Sequence, residues 1–472
     1  MSQIEGGYTS YTIKNMNLKE ATRILVLDTI HGGEIIAEEL KELGKQAEAF
    51  DPYHQSFSKA LDYDLVIAPV HLNPNFEVVK QALKMEIPFM SHHKAVKEIA
   101  RLKNMFRDTK VVEVTGTVGK TAVCELICQL LKNKNAKVLS HTSSVTRFQS
   151  AGEEVQFPRI GGAPANVLKV MRIAKEKKLK AEIAVFEISL GLTGIGDVGV
   201  ITSLEADYRI AGGTKDASAA KIASIQNYAY TDADMDEIEG GNRRSAVIVL
   251  PDSFAEMQKK RKNELKGFNT NFFGATAKAK NLWLDDTENK VFFDGLKTVN
   301  GDSVSGGMKF NFEAGFYGDY YRNCLEASFC TVLSLGIPPE RVNTGDISAV
   351  RGRLKVENRK GRFLIDNSNS GTKLKFLNEI TEMARRYSGK MILIVGMESE
   401  YVCEGVNEEE LKEVVANASG DFVEIIIVGA EFKDKIEGKT VFFSDTLDAA
   451  LEKAVSDSEE GSVIISNVKT WR

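Results

Sequence analysis

The amino-acid sequence predicts an α/β protein of three domains, a central P-loop ATPase-type domain flanked by two Rossmann-like α/β domains. Three observations predict it. The chain has 472 residues, and at about 150 residues per domain that length suggests about three domains. From Arg23 onward, strand, turn and helix recur in the order that builds parallel sheets with covering helices. In the middle, V-V-E-V-T-G-T-V-G-K-T, Val111 to Thr121, joins an apolar β-branched run to a glycine-rich turn. The expected domains are residues 1–104, 105–344 and 345–472.

Composition narrows the function classes. Hydrophobic residues make up 43% of the chain and the formal net charge is −5, so nothing suggests a polycationic nucleic-acid binder. The five cysteines are odd in number and scattered, unlike a secreted disulfide framework, and fit a reducing compartment. Cys124 and Cys128 lie one helical turn apart, but no second pair completes a metal site, so both are read as buried apolar thiols. The N-terminus has no apolar core of signal-peptide length, and no run approaches 18 apolar residues. The expectation is a soluble cytoplasmic protein with no membrane or nucleic-acid partner. Oligomeric state is not legible.

In the first domain, R-I-L-V-L-D is a strand, Glu34 to Leu43 a helix, Q-A-E-A-F-D and D-L-V-I-A-P-V strands, and Glu77 to Lys84 a helix, before I-P-F-M-S-H-H. The region lacks G-x-G-x-x-G, which disfavours a dinucleotide. All six histidines fall just after a predicted strand. Carboxyl ends of parallel strands share one edge, where ligands bind. His31 with the neighbouring Gly32, His54, His71, His92 and His93 are therefore candidates for one substrate-binding edge. Metal ligation by these histidines is not favoured, because no H-x-x-x-H or carboxylate spacing supports it.

The second domain opens with the loop. Small residues let backbone N–H groups face an anion, the following helix presents its positive end, Lys120 reaches terminal phosphates, and the Thr121 hydroxyl suits magnesium. ATP is the expected nucleotide, bound by Thr115, Gly116, Thr117, Val118, Gly119, Lys120 and Thr121. After a helix from Thr121 to Lys132, the strand A-K-V-L-S and a helix from Ala165 to Lys178, the strand I-A-V-F-E ends at Glu187. A carboxylate there matches the need of a hard cation bridging phosphates for a fixed oxygen ligand. Short strands and turns fill residues 245–315, and a helical stretch runs from Tyr317 to Pro338. The remainder alternates again: a helix from Thr372 to Tyr387, M-I-L-I-V-G, a helix from Glu408 to Ala416, V-E-I-I-I-V-G, T-V-F-F-S, a helix from Leu447 to Ser456, and S-V-I-I-S.

The loop departs from G-x-x-x-x-G-K-[ST], since Val114 stands where the first glycine belongs. The form it has, T-G-T-x-G-K-T, resembles the Mur ligase superfamily, which activates carboxylates with ATP as acyl phosphates. That resemblance implies further residues. Lys221 matches a lysine that many members carbamylate into a metal ligand, giving Thr121, Glu187 and Lys221 as the magnesium set. Asn323 and Asp366 match nucleotide contacts, and Arg353, in a turn like G-R-[ML]-E, matches an arginine on ATP phosphate. Lys120, Glu187, Lys221 and Arg353 form the expected catalytic group. Tyr208 stands where relatives carry a second-metal histidine, and a further histidine is replaced near Asp319 and Tyr320.

Within the superfamily, L-D-T-I-H-G-G (Leu27 to Gly33), A-P-V-H-L-N-P (Ala68 to Pro74) and S-H-H-K-A-V (Ser91 to Val96) resemble the coenzyme F(430) synthetase family of methanogenic archaea. This implies a C–C bond-forming cyclo-ligase that closes a carbocyclic ring on a nickel seco-tetrapyrrole bearing carboxylate side chains, with ATP and Mg2+ as cofactors. Two alternatives remain open: an amide-forming, amino-acid-adding Mur ligase of pseudomurein, peptidoglycan or polyglutamate synthesis, and an ATP-binding switch without ligase chemistry.

Overall fold

The computed structural model describes residues 17–58, 61–132, 136–205, 207–229, 246–254, 265, 267–274, 281–285, 288–313, 316, 318–350, 353–369, 371–398, 406–418, 420–433 and 435–470. Cys403 lies outside them. The chain divides into two compact units, one of residues 1–310 and 322–344, the other of residues 311–321 and 345–472. Among the described residues the first holds two large sheets and a two-stranded ribbon, Arg209–Ile210 with Lys215–Asp216, and the second holds one sheet.

The opening sheet has four parallel strands in the order Gln46–Phe50, Arg23–Leu27, Leu65–Ala68, Phe89–Ser91. Helices Gly33–Glu42, Glu77–Lys84 and His92–Leu102 connect or follow them. The short apolar runs LVIA and ILVL are buried throughout, as strands covered on both faces must be. On one face Leu25, Leu27, Val66 and Val79 pack together. On the other, Ile24, Val26, Ile36, Val96 and Ile99 belong to a cluster that continues into Leu139 and Phe186 of the next sheet and Leu168 of the helix Asn166–Glu176. The first two expected domains thus share a core within one unit.

That next sheet has eleven strands, and its parallel centre runs Asn269–Phe273, Val247–Pro251, Val198–Ile201, Lys110–Thr115, Ile183–Glu187, Val138–His141. The loop strand Lys110–Thr115 lies between the strands ending at Glu187 and Ile201, which brings three carboxyl ends to one place. The sixth histidine, His141, is the last residue of its strand rather than following it.

A buried carboxylate braces this arrangement. Glu113, fully buried in the loop strand, accepts from Thr193 N at 2.8 Å, Gly194 N at 2.9 Å and Tyr228 Oη at 2.5 Å. These bonds repay the cost of burying the charge and fix the turn that follows the Glu187 strand.

The second unit has six strands in the order Lys355–Arg359, Arg362–Asp366, Val463–Lys469, Met391–Met397, Glu424–Val428, Val441–Ser444, parallel except for the first pair. The expected helix from Thr372 is replaced by a 3-10 turn, Leu374–Phe376, and a helix, Leu377–Ala384. The cause is local. Thr372 Oγ1 donates to Asn467 Oδ1 at 2.6 Å and Asn367 Nδ2 donates to the same oxygen at 2.8 Å, so side-chain bonds hold this segment out of the helix.

Tyr228→Phe removes one donor from buried Glu113 without changing the ring. It should cost about 1–3 kcal/mol, read as a lower denaturant midpoint with unchanged slope; an unchanged midpoint would show that the hydroxyl does not brace the carboxylate.

Candidate active site

The phosphate loop is shaped by contact with the strand end beside it. Gly116 has φ +150°, and a Cβ there would lie 2.1 Å from Thr202 Oγ1, so only glycine passes. Thr202 Oγ1 donates to Val118 O at 2.5 Å, and Thr117 N donates to Ser203 O at 2.9 Å. Thr115 ends the buried strand, and Gly119, in the left-handed region, precedes the helix Lys120–Leu130. The helix therefore starts at the loop and turns its positive N-terminal end toward it, the arrangement that suits an anion. Lys120 Nζ donates to Gly116 O at 3.1 Å, which folds the ammonium back over the loop.

In the first turn of that helix, Thr121 Oγ1 donates to Glu187 Oε2 at 2.9 Å. The same carboxylate oxygen accepts from Ser143 N at 3.0 Å, which fixes its orientation. Two hard oxygens at this spacing fit adjacent positions of an octahedral magnesium ion, whose ligands at about 2.1 Å stand about 3 Å apart. Thr121 and Glu187 are thus the residues able to hold that ion.

Lys221 sits in the helix Ala217–Ala223 and is 1% exposed. Burial, and then the Lys120 charge, bring its ammonium down to about 8, with Asp207 opposing. Asp207 is held by Ser218 N at 2.8 Å. The Lys221 Nζ lies 5.1 Å from the Tyr208 ring centroid, so the residue at the place of the missing histidine faces the lysine. Asn323 is exposed on the helix Gly318–Ser334. The buried thiols of Cys124 and Cys128 are both pushed up by desolvation, Cys128 to about 12, and stay neutral.

The histidines separate into three groups. His31 and His71 converge on Asp28, with His31 Nδ1 2.7 Å and His71 Nε2 3.3 Å from Asp28 Oδ2. Tyr53 Oη donates to that oxygen at 3.3 Å. Burial alone raises the Asp28 carboxyl, but hydrogen bonds from His31 and His71 outweigh it and hold it below the usual range. His54 stands apart, exposed, with its Nδ1 2.8 Å from Asp51 Oδ2. His92 and His93 are buried at the start of the helix His92–Leu102, where His92 Nε2 donates to Leu27 O and His93 Nε2 to Ser189 O, each at 2.9 Å. Gly32, at φ +96°, allows close packing: a Cβ there would lie 2.6 Å from Ala165 Cβ.

In the second unit, Asp366 ends the strand Arg362–Asp366 and its Oδ1 accepts from Ser368 N at 3.0 Å. Arg353 N donates to Val350 O at 2.9 Å. Tyr320 Oη donates to Asn367 Oδ1 at 3.1 Å.

Comparison with known proteins bears on both units. The Mur ligase middle domain matches residues 114–325, and the Coenzyme F430 synthetase CfbE C-terminal domain matches residues 356–470. The chain carries a Mur ligase middle domain and a C-terminal domain of the coenzyme F430 synthetase type. This Mur-type chain is 27% identical to the coenzyme F(430) synthetase of Methanosarcina acetivorans, covering 95% of this chain and 99% of the relative. It is 24% identical to the coenzyme F(430) synthetase of Methanocaldococcus jannaschii over 88% and 93% of the two chains. In fold it is similar to MurF from Acinetobacter baumannii, with TM-score 0.54, 14% identity, and 92% and 95% of the two chains covered. The matched middle domain is that of ligases, which supports a ligase-type enzyme.

Asp28 and Tyr53 are the side chains of this Mur-type chain that the sequence reading did not single out. The i, i+3 spacing of Asp28 and His31 at a strand end was the available signal. His92, His93 and His141 supply a pH test. Burial is the main cause holding these rings low, to about 3, 4 and 4. Each ring stays neutral in the fold but gains a proton near pH 6.5 when unfolded. The unfolded state then binds more protons, so stability is complete above about pH 6.5 and falls as pH drops toward 4. At pH 5 each ring costs about 2 kcal/mol. The urea midpoint should fall between about pH 7.5 and about pH 5, and the loss should shrink in H92Q/H93Q; an equal loss in both proteins would refute the assignment.

Proposed function

We propose that this enzyme uses ATP and Mg2+ to convert a carboxylate of a nickel seco-tetrapyrrole into an acyl phosphate, which a carbon of the same macrocycle attacks to close a ring. The similarity to coenzyme F(430) synthetases along 95% of the chain is the observation that carries the substrate class. The Thr121 and Glu187 oxygens beside a helix N-terminus support the nucleotide chemistry. On this reading residues 1–104 bind the macrocycle, 105–344 bind ATP, and 345–472 form the ligase domain.

The chemistry balances. A propionate oxygen attacks the γ-phosphorus and ADP leaves; the carbon nucleophile then attacks the acyl carbon, the C–O bond to phosphate breaks, and the nucleophilic carbon loses a proton. Lys120 offsets charge on the transferred phosphoryl group, and Thr121 and Glu187 would hold a magnesium ion that supplies further positive charge there. Lys221, brought down to about 8, has a neutral fraction at neutral pH able to add carbon dioxide, and the resulting carbamate is an oxygen ligand of the kind magnesium takes. The ring-closing step is intramolecular, so what it asks of the protein is a held geometry. The histidines at the first sheet's edge are the proposed partners of the substrate's other carboxylates.

Amide formation is the second reading, and Tyr208 and Tyr320 weigh against it: amide-forming relatives usually keep histidines at the corresponding places. Phosphate release and product mass decide between the two. With Mg-ATP, release should depend on the nickel seco-tetrapyrrole and yield a product lighter by one water. Release that depends on an added amino acid would overturn the ring closure. Lys120→Ala should lower turnover by about 1,000-fold or more with any acceptor, so it tests the loop and leaves the acceptor question to the substrate panel.

A further inference from the structure

Outside the nucleotide site, the densest grouping of metal-ligating atoms among the described residues lies at the carboxyl edge of the first sheet. Asp28 follows the strand Arg23–Leu27, with φ +76°, and His31 comes three residues later in the same turn. His71 arrives from the loop after Leu65–Ala68, the adjacent strand. Their ligand atoms form a small triangle: Asp28 Oδ2 to His31 Nδ1 2.7 Å, Asp28 Oδ2 to His71 Nε2 3.3 Å, and His31 Nδ1 to His71 Nε2 3.3 Å.

The size of that triangle is informative. At metal–ligand distances of about 2.0–2.2 Å, neighbouring ligands stand about 2.8–3.1 Å apart in octahedral and about 3.3–3.6 Å apart in tetrahedral coordination. The two 3.3 Å edges thus already have metal-site spacing, while the 2.7 Å Asp28–His31 edge is a hydrogen-bond length that opens slightly around an ion. The hydrogen-bond pattern points the same way. Asp28 Oδ2 accepts from Tyr53 Oη and lies within 3.3 Å of His31 Nδ1 and His71 Nε2, which are themselves 3.3 Å apart, so three polar side chains crowd one oxygen. A cation inside the triangle turns both imidazole nitrogens into lone-pair donors and relieves that crowding. The carboxylate is already oriented, because Asp28 Oδ1 accepts from His31 N at 3.0 Å.

We propose that Asp28, His31 and His71 form a site for one divalent transition-metal ion of the zinc, nickel or cobalt class. Two imidazoles and one carboxylate suit these ions, whereas magnesium prefers oxygens alone. Asp28 is fully buried, while the His31 and His71 side chains are 45% and 22% exposed. The three protein ligands therefore leave coordination positions on the open side, where a substrate carboxylate can bind. The site stands on its own geometry and does not require the ring-closure reading.

Cobalt(II) titration of the untagged, metal-free full-length protein, without nucleotide, tests it. One Co2+ per chain should bind with ligand-field absorption in the visible, and H31A/H71A should weaken binding by about tenfold or more. H54A, which alters the separate His54–Asp51 pair, should bind as the wild type does. D28N keeps a residue tolerant of positive φ and should also weaken binding. Equal Co2+ affinity in wild type and H31A/H71A overturns the site. X-ray absorption of the zinc-loaded wild type gives a check free of variants: imidazole scattering from two histidines is expected, and its absence overturns the proposal.

Discussion

The first unit depends on one close approach, that of the phosphate loop to the end of the neighbouring strand. Gly116 lies where any side chain would run into Thr202 Oγ1, and the same hydroxyl donates to Val118 O. A loop stretched across parallel strand ends has few backbone partners of its own, so its amides stay available for an anion only if another element holds its carbonyls. Thr202 does that for Val118 O, and Ser203 pins the start of the loop differently, its carbonyl accepting from Thr117 N. Because Val198–Ile201 and Ile183–Glu187 flank the loop strand, the packing that closes the loop also puts Glu187 beside Thr121.

Buried charge in this unit is managed by dense pairing. Glu113 accepts from Thr193, Gly194 and Tyr228 and ties the loop strand to the turn after Glu187. Glu39, 1% exposed on the helix Gly33–Glu42, accepts from Arg172 Nε at 3.0 Å and from Lys103. Arg172 belongs to the helix Asn166–Glu176 of the second sheet, so this bond joins the two sheets. Such pairs add little net stability against an apolar alternative, but breaking one strands a charge. They fix which faces of the two sheets meet.

What was legible in the sequence follows from how far apart its parts lie along the chain. The loop is local, so Thr115 to Thr121 could be read directly, and Glu187 could be placed because a strand period ends there. The four alternating strands from Met391 onward were legible, but the antiparallel edge strand Lys355–Arg359 was not, nor was the start of the helix at Leu377, which Asn467 sets from about ninety residues away. The histidines were the hardest. Position after a strand was the same signal for all, yet the fold buries His92 and His93 against carbonyls, leaves His54 with Asp51, and brings His71 to His31 across forty residues. Residue type announces capacity for chemistry; burial and long-range pairing decide which copies keep it.

The two edges of the first unit are connected through those same buried rings. His92 holds the carbonyl of Leu27, the residue before Asp28, and His93 holds the carbonyl of Ser189, two residues beyond Glu187. Adjacent residues of one helix therefore grip the backbone behind the Asp28 cluster and behind the magnesium-side carboxylate. A Cβ on Gly191 would lie 3.6 Å from His93 Nε2, so the turn after Glu187 is packed directly on this helix. Protonating either ring would break no bond at the carbonyl but would place an unpaired charge in an apolar interior. The helix His92–Leu102 is thus useful only with both imidazoles neutral. In that state it acts as a rigid strut between the sheet edge proposed to receive the substrate and the one proposed to activate its carboxylate.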